Sequence, residues 1–158
     1  PFNTYGPRQS ARAVIPTIIS QIAAGERKIK LGALSPTRDF TFVHDTAQGF
    51  IKAMECDACI GEATNIGSDF EISIKDTVAL IAEVMGVEIE IVSDEERMRP
   101  ANSEVERLYA GVDKARRLFG WAPEHGGRDG FAKGIAKTAE WFQDPTNLAA
   151  YKTGQYNV

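Results

Sequence analysis

The chain has 158 residues, of which 43% are apolar and 25% charged, and its formal net charge is −4. That length suits one domain with a real hydrophobic core, and the composition excludes wholesale disorder. The modest negative charge, with no long run of Lys and Arg, argues against a nucleic-acid surface. No apolar stretch approaches the roughly 20 residues of a membrane span, so a cytoplasmic protein is expected.

The chain opens at Pro1-Phe2-Asn3, without an initiator Met, and this apolar pair reads as the end of a strand already under way. A truncated start is therefore expected. Val14, Ile15, Ile18, Ile19 and Ile22 recur at helical spacing, with Pro16 tolerable in the first turn and Gly25 as the stop. Lys28 to Leu31 predicts a short strand, Gly32 to Thr37 a turn, and Phe40 to Val43 another strand. Asp45 with Gln48 predicts a capping box that opens a helix running to about Met54. Gly61 to Ile66 reads as a strand ending at Gly67. Ser73 and Asp76 predict the cap of a helix that Gly86 ends. Val87, Ile89 and Ile91 alternate with Glu88 and Glu90, a half-buried strand pattern, and a polar stretch follows from Ser93 to Arg107. Asp113 predicts the cap of a short helix ending at Gly120, and a last helix runs from about Arg128 to before Asp144-Pro145. Residues 146–158 read as a polar tail on a single domain, 1–158. The whole is mixed α/β, with short strands between several helices and without the regular βαβ succession of a complete doubly wound sheet.

The side chains are better suited to binding than to reaction. Cys56-Asp57-Ala58-Cys59 is a lone C-x-x-C at the wrong end of a helix dipole for a low-pKa thiol, so reduced, inert thiols are expected. Zinc needs about four ligands, and His44 and His125 lie far off in sequence, so no metal is expected. No Gly-rich cofactor turn, no Tyr four residues before a Lys and no Ser/His/Asp order stands out, which leaves no catalytic candidate. Both histidines lack an obvious partner.

Arg38, between a turn and a strand, and Arg99, stiffened by Pro100, offer planar forks suited to phosphate oxygens. The alternative is ordinary ion pairing, Arg38 with Asp39 or Asp45 and Arg99 with Glu104. Asn3-Thr4-Tyr5-Gly6-Pro7 is a turn-rich loop after a strand, which has a purely structural reading as well. Trp121 and Trp141 are expected in the core or at caps.

Five segments in order carry a resemblance. Pro1 to Arg8 resembles an R-x-x-N-x-Y-G-P segment without its Arg, and Ile15-Pro16 opens the following helix. Arg38 to Asp45 is similar to R-D-[FWY]-x-x-V-x-D, Asn65-Ile66-Gly67 to N-I-G, and Lys114 to Pro123 to K-x-x-x-x-L-G-W-x-P. Together they resemble the C-terminal half of the NAD-dependent epimerase/dehydratase family, the extended short-chain dehydrogenases that act on nucleotide sugars. Thr4 to Pro16 and Arg99 to Leu108 are most similar to the 4,6-dehydratases of bacterial legionaminic-type acid synthesis.

The resemblance implies a C-terminal substrate-binding part with the Rossmann core mostly missing. It implies Asn3 against the sugar-linked phosphate and Arg38 and Arg99 as a clamp on the diphosphate and nucleotide. The stretch Ser10 to Ile15, with Ser10, Val14 and Ile15 as its named contacts, would line the nucleoside site, Ser103 and Glu104 would stand beside it, and Pro1 would lie near the cofactor. A complete dehydratase oxidises the sugar at C4, eliminates water across C5 and C6 and returns hydride to C6. The resemblance places the family's cofactor turn and catalytic Tyr-x-x-x-Lys in the part preceding this segment. NAD is then expected in the full-length parent and not tightly on this chain. The expected partners are a nucleoside-diphosphate sugar, the missing Rossmann half and a second copy in a homo-oligomer. A freestanding, non-catalytic nucleotide-sugar-binding or protein-interaction module is the alternative.

Overall fold

The computed structural model of the chain describes residues 1–94, 97 and 105–151. Its elements are β1 (Asn3–Tyr5), α1 (Val14–Ala23), β2 (Lys28–Leu31), β3 (Thr37–Phe42), α2 (Val43–Met54), β4 (Glu71–Ser73), α3 (Ile74–Met85), β5 (Glu90–Ser93), α4 (Asp113–Phe119), α5 (Gly127–Gln143) and α6 (Pro145–Leu148). They form a mixed α/β fold of short strands and several helices, as the sequence predicts.

β3 is the middle strand of a three-stranded sheet ordered β1-β3-β4. It runs parallel to β1, with Asn3 opposite Phe40 and Tyr5 opposite Phe42, and antiparallel to β4, with Arg38 opposite Ile72. β2 and β5 make a separate parallel pair with Ile29 opposite Ile91. Because side chains alternate along a strand, Phe40 and Phe42 point to one face of β3 and Asp39 and Thr41 to the other. All four are buried, so β3 has a covered face on each side.

On the first face the aromatic rings of Tyr5, Phe40, Phe42 and Phe131 meet edge-on or stacked, with centroids 5.2–6.5 Å apart. Ile15, Ile18, Ile19 and Ile22 of α1, Val78 and Ile81 of α3 and Ile135 and Phe142 of α5 complete this core. The Tyr5 hydroxyl donates to Phe131 O at 3.2 Å, and burial, aided by the Asp45 charge, raises its pKa so that it stays protonated. Gly134 lets α5 approach here, since a Cβ at that position would collide with the Tyr5 hydroxyl.

The second face is built around a carboxylate. Asp39 Oδ1 accepts from the Ser68 amide at 2.6 Å and its hydroxyl at 2.7 Å, and Oδ2 accepts from the Ala110 amide at 3.3 Å. Three donors satisfy a charge that is 0% exposed. Beside it lies a smaller core of Ile66, Ala110, Val112, Ala115 and Trp121.

Several expectations need correction. α2 follows β3 directly, with Phe42 at its N-cap and no side-chain cap. Asp45 turns inward instead of capping, because His125 supplies it with two donors. Residues 61–66 form no ladder: that segment is held to Phe2 by one amide bond, Phe2 N to Ile66 O at 2.8 Å. Val112, not Asp113, occupies the N-cap of α4. The strand expected over Val87 to Ile91 is shifted, its ladder lying at Glu90–Ser93. The polar tail begins in order: Asp144 caps α6 by accepting from Thr146 N, and Tyr151 packs edge-on against Trp141 and Phe142. The Ser73 cap on α3 and the left-handed Gly86 and Gly120 after α3 and α4 stand as predicted. Among the described residues no helix is long and apolar enough to cross a membrane.

Asp39→Ala leaves three donors unmet and is expected to destabilise the fold by about 3 kcal/mol or more, read from urea unfolding. A pH effect is expected at Glu71 on β4. Hydrogen bonds from Arg107 and Thr37 pull its carboxyl down from 4.5 to about 2. A lowered folded-state value means that its stabilising effect is complete above the unfolded value and is lost as pH falls toward about 2. Glu71→Gln is expected to flatten that segment of the stability–pH curve and leave the neutral-pH slope unchanged.

Candidate functional site

The start of β1, the loop after it, the start of α1, the end of β2 and the first half of β3 line a cavity of about 550 Å³. Alternation along β3 decides what faces it. Arg38 and Phe40, two residues apart, both line the cavity, while Asp39 between them points to the opposite side. Asn3 reaches it from β1, and Val14, Ile15 and Thr17 from the first turn of α1.

The loop between β1 and α1 is shaped by its backbone. The Gln9 amide donates to Gly6 O at 3.3 Å, closing a turn in which Arg8 adopts a left-handed φ of 67°. Such a conformation is costly for a residue with a Cβ. It brings Gln9 to the cavity wall, where its side-chain amide donates to Thr4 O at 2.7 Å and leaves Oε1 buried without a partner. The loop then enters α1 at Ala13, with no side-chain cap and no acid in the first turn. The positive end of the helix dipole therefore faces the cavity.

Three arginines, Arg12, Arg38 and Arg97, line this space, and among the described residues no Asp or Glu does. Arg38 donates through Nη1 to Thr37 O at 2.8 Å. The carboxylates considered as its ion-pair partners serve other donors: Asp39 holds Ser68 and Ala110, and Asp45 holds His125. Arg97 is largely buried and its Nε lies 3.0 Å from Asp94 Oδ2.

Of the residues singled out from sequence, Asn3, Val14, Ile15 and Arg38 thus converge on one cavity. Ser10 does not line it. This exposed residue turns the loop instead, its Oγ accepting from Arg12 N at 3.3 Å and its carbonyl from Ala13 N at 3.1 Å. Pro1 is exposed and outside the lining. Arg99, Ser103 and Glu104 lie outside the described residues. Gln9, Thr17 and Arg97 line the cavity without having been singled out. Arg12 lines it too, as expected of the Ser10 to Ile15 stretch, but nothing in its spacing marked it as an anion ligand.

His125 has partners that lie far away in sequence. Asp45 accepts from its backbone amide at 2.9 Å and lies 3.2 Å from Nδ1, while Nε2 is 3.0 Å from Lys137 Nζ. Those partners fix a tautomer with the proton on Nδ1 and a lone pair on Nε2 toward the ammonium. Glu124 brings a third potential ligand atom within 4.8 Å of those of Asp45 and His125. Both Asp45 oxygens are already engaged with His125, so the group works as a strut that ties α2 to the start of α5. Cys56 and Cys59 are free thiols after α2. Burial and the neighbouring Cys56 push the Cys59 thiol up, away from thiolate reactivity.

A dinucleotide pyrophosphate needs a Gly-rich turn between a strand and a helix. The loop from β1 to α1 has the right neighbours but one glycine, Gly6, and a Cβ there would overlap Val43, not a ligand. These residues do not fit an NAD cradle.

The family model described as GDP-mannose 4,6 dehydratase matches residues 1–134. UDP-glucose 4-epimerase of Mycolicibacterium smegmatis is 32% identical over 91% of this chain and 44% of its own length. The structure of epimerase Mth375 from Methanothermobacter thermautotrophicus superposes with a TM-score of 0.80 at 30% identity, over 94% of this chain and 43% of that one. The structure of dTDP-glucose 4,6-dehydratase from Bacillus anthracis in complex with NAD shares the fold, with a TM-score of 0.76 at 23% identity over 93% of this chain and 44% of that one. The chain thus spans less than half the length of these relatives. The family pattern runs through nearly all of the described fold and includes the cavity built by β1, α1 and β3, and the chain belongs to the NAD-dependent epimerase/dehydratase family.

Proposed function

We propose that the chain is the nucleotide-sugar-binding portion of an NAD-dependent sugar-nucleotide 4,6-dehydratase or epimerase, and that it is not catalytic alone. The observation that carries this reading is the cavity of about 550 Å³ with three arginines and, among the described residues, no carboxylate in its wall, inside a chain whose net charge is −4. Such local positive charge, next to a helix N-terminus without a cap, suits a phosphate-bearing ligand. The volume is in the range of small-molecule sites.

In this reading Asn3 and Arg38 hold the diphosphate, with Arg99 as the expected second arm of the clamp, and Val14 and Ile15 pack against the nucleoside. The relatives' names support the substrate class, since they include a UDP-glucose 4-epimerase and a dTDP-glucose 4,6-dehydratase. NAD, when bound, supplies hydride transfer. The described residues do not form its cradle, so cofactor and catalytic groups are assigned to a Rossmann portion beyond this chain. The contribution of this chain is to bind and orient the sugar nucleotide.

α2 favours a partner on its outer side. Val43, Phe50, Ile51 and Met54 are 41–87% exposed, and Val43, Ala47, Phe50 and Met54 recur at helical spacing. Asp45, Thr46 and Gly49 occupy the buried side. The exposed stripe is assigned to contact with the Rossmann portion, and in its absence to self-association of this chain.

Calorimetric titration with UDP-, GDP- and dTDP-sugars tests the first reading. At least one is expected to bind, and Arg38→Ala is expected to weaken it by about 1.5–3 kcal/mol, the worth of a charged hydrogen bond. Unchanged affinity in Arg38→Ala removes this arginine from the site. Light scattering of the chain alone is expected to show a concentration-dependent dimer or larger species, reduced by Phe50→Asp with Met54→Asp. A monomer at every concentration rules out self-association through α2.

A further inference from the structure

We propose that Arg12 is an anion-binding residue of the cavity additional to the clamp expected of Arg38 and Arg99, taking one phosphate of a ligand whose other phosphate lies at Arg38, and that it makes the cavity select diphosphates over monophosphates. The proposal rests on reading the cavity as a nucleoside-diphosphate-sugar site.

Arg12 differs from the other two arginines in its surroundings. Arg97 has Asp94 beside it, and Arg38 is tied to the Thr37 carbonyl. The Arg12 guanidinium makes no hydrogen bond or ion pair among the described residues, although it lines the cavity. A solvated arginine on a helix face is commonplace. This one projects from a backbone fixed on both sides. The Thr17 hydroxyl lies 2.8 Å from the carbonyls of both Ala11 and Ala13 and shares its proton between them. Ser10 Oγ accepts the amide of Arg12 itself at 3.3 Å.

A fixed Cα below an unengaged head group reduces the ordering cost of holding a ligand. A guanidinium placed this way offers two parallel donors to a phosphate oxygen pair. Among the described residues no carboxylate in the cavity wall competes for it. Arg38 comes from β3 and Arg12 from the loop before α1, so the two residues reach the cavity from different elements. One phosphate engages one of them, and a diphosphate engages both.

The experiment is isothermal titration of UDP, GDP and dTDP, each beside its monophosphate, into the chain and its Arg12→Gln, Arg12→Lys and Arg38→Ala variants. Arg12 is exposed, so both replacements are expected to keep the wild-type thermal melt. The native chain is expected to prefer the diphosphate. Arg12→Gln is expected to weaken diphosphate binding by about tenfold and leave the monophosphate within about twofold, as fits loss of one charged contact. Arg12→Lys is expected to retain part of the preference, and raising salt is expected to shrink it.

A diphosphate preference unchanged in Arg12→Gln overturns the assignment, as does an equal loss for mono- and diphosphate. If Arg38→Ala loses binding and Arg12→Gln does not, the cavity reading stands and only the role of Arg12 falls. If the native chain binds none of these nucleotides, the cavity reading itself fails.

Discussion

The structure depends on the buried carboxylate of Asp39. β3 is covered on both sides, and a strand in that position is ordinarily apolar throughout. Here a fully buried position carries a charge, stabilised by three donors from Ser68 and Ala110. Those donors come from segments distant in the chain, so the charge fixes where the 61–70 stretch and the approach to α4 lie. Gly67 faces Ala110 and Asp39 there, which leaves no room for a side chain. The same alternation that turns Asp39 inward turns Arg38 and Phe40 toward the cavity. Fold and site are thus set by one register, since a shift of β3 by one residue would bury the guanidinium and expose the carboxylate.

The cavity gathers positive charge inside an acidic chain by geometry. Each of its three arginines sits beside a backbone that is held locally: Arg12 by Ser10 and Thr17, Arg38 by the ladder to β4 and Arg97 by Asp94. The N-terminus of α1 adds its dipole without an acidic residue to offset it. Of the described residues, none in that wall brings a counter-charge, and the nearest acids of β3 and α2 are turned to the far face or to His125.

The local parts of the fold were legible in the sequence. The isoleucine period of α1, the Ser73 cap and the glycines that end α3 and α4 are decided within a few residues, and the structure agrees. Asp45 shows where local reading ends. Its spacing to Gln48 fits a capping box, yet His125, eighty positions on by sequence number, supplies better donors. The same distance hid the partners of His125. β4 has three residues and is defined only by its neighbour β3, so no periodicity could show it. Of the site, Asn3, Val14, Ile15 and Arg38 were found through the family motifs. Arg12 fell within the stretch that the resemblance placed at the nucleoside, without a role of its own, and Gln9 was not found, because their direction is set by the left-handed Arg8 and by the Thr17 hydroxyl, neither of which leaves a pattern in residue types.

Tyr5 and Asn3 are two positions apart on β1 and so share a side of that strand. Tyr5 is pinned from above by the bare backbone of α5 at Gly134 and by the Phe131 carbonyl. α5 therefore sets the height at which Asn3 meets the cavity. A change buried in the last long helix, with no contact to any ligand, would be transmitted through one tyrosine ring to the lip of the pocket. Any side chain at position 134 would press on that ring and so on the strand that carries Asn3.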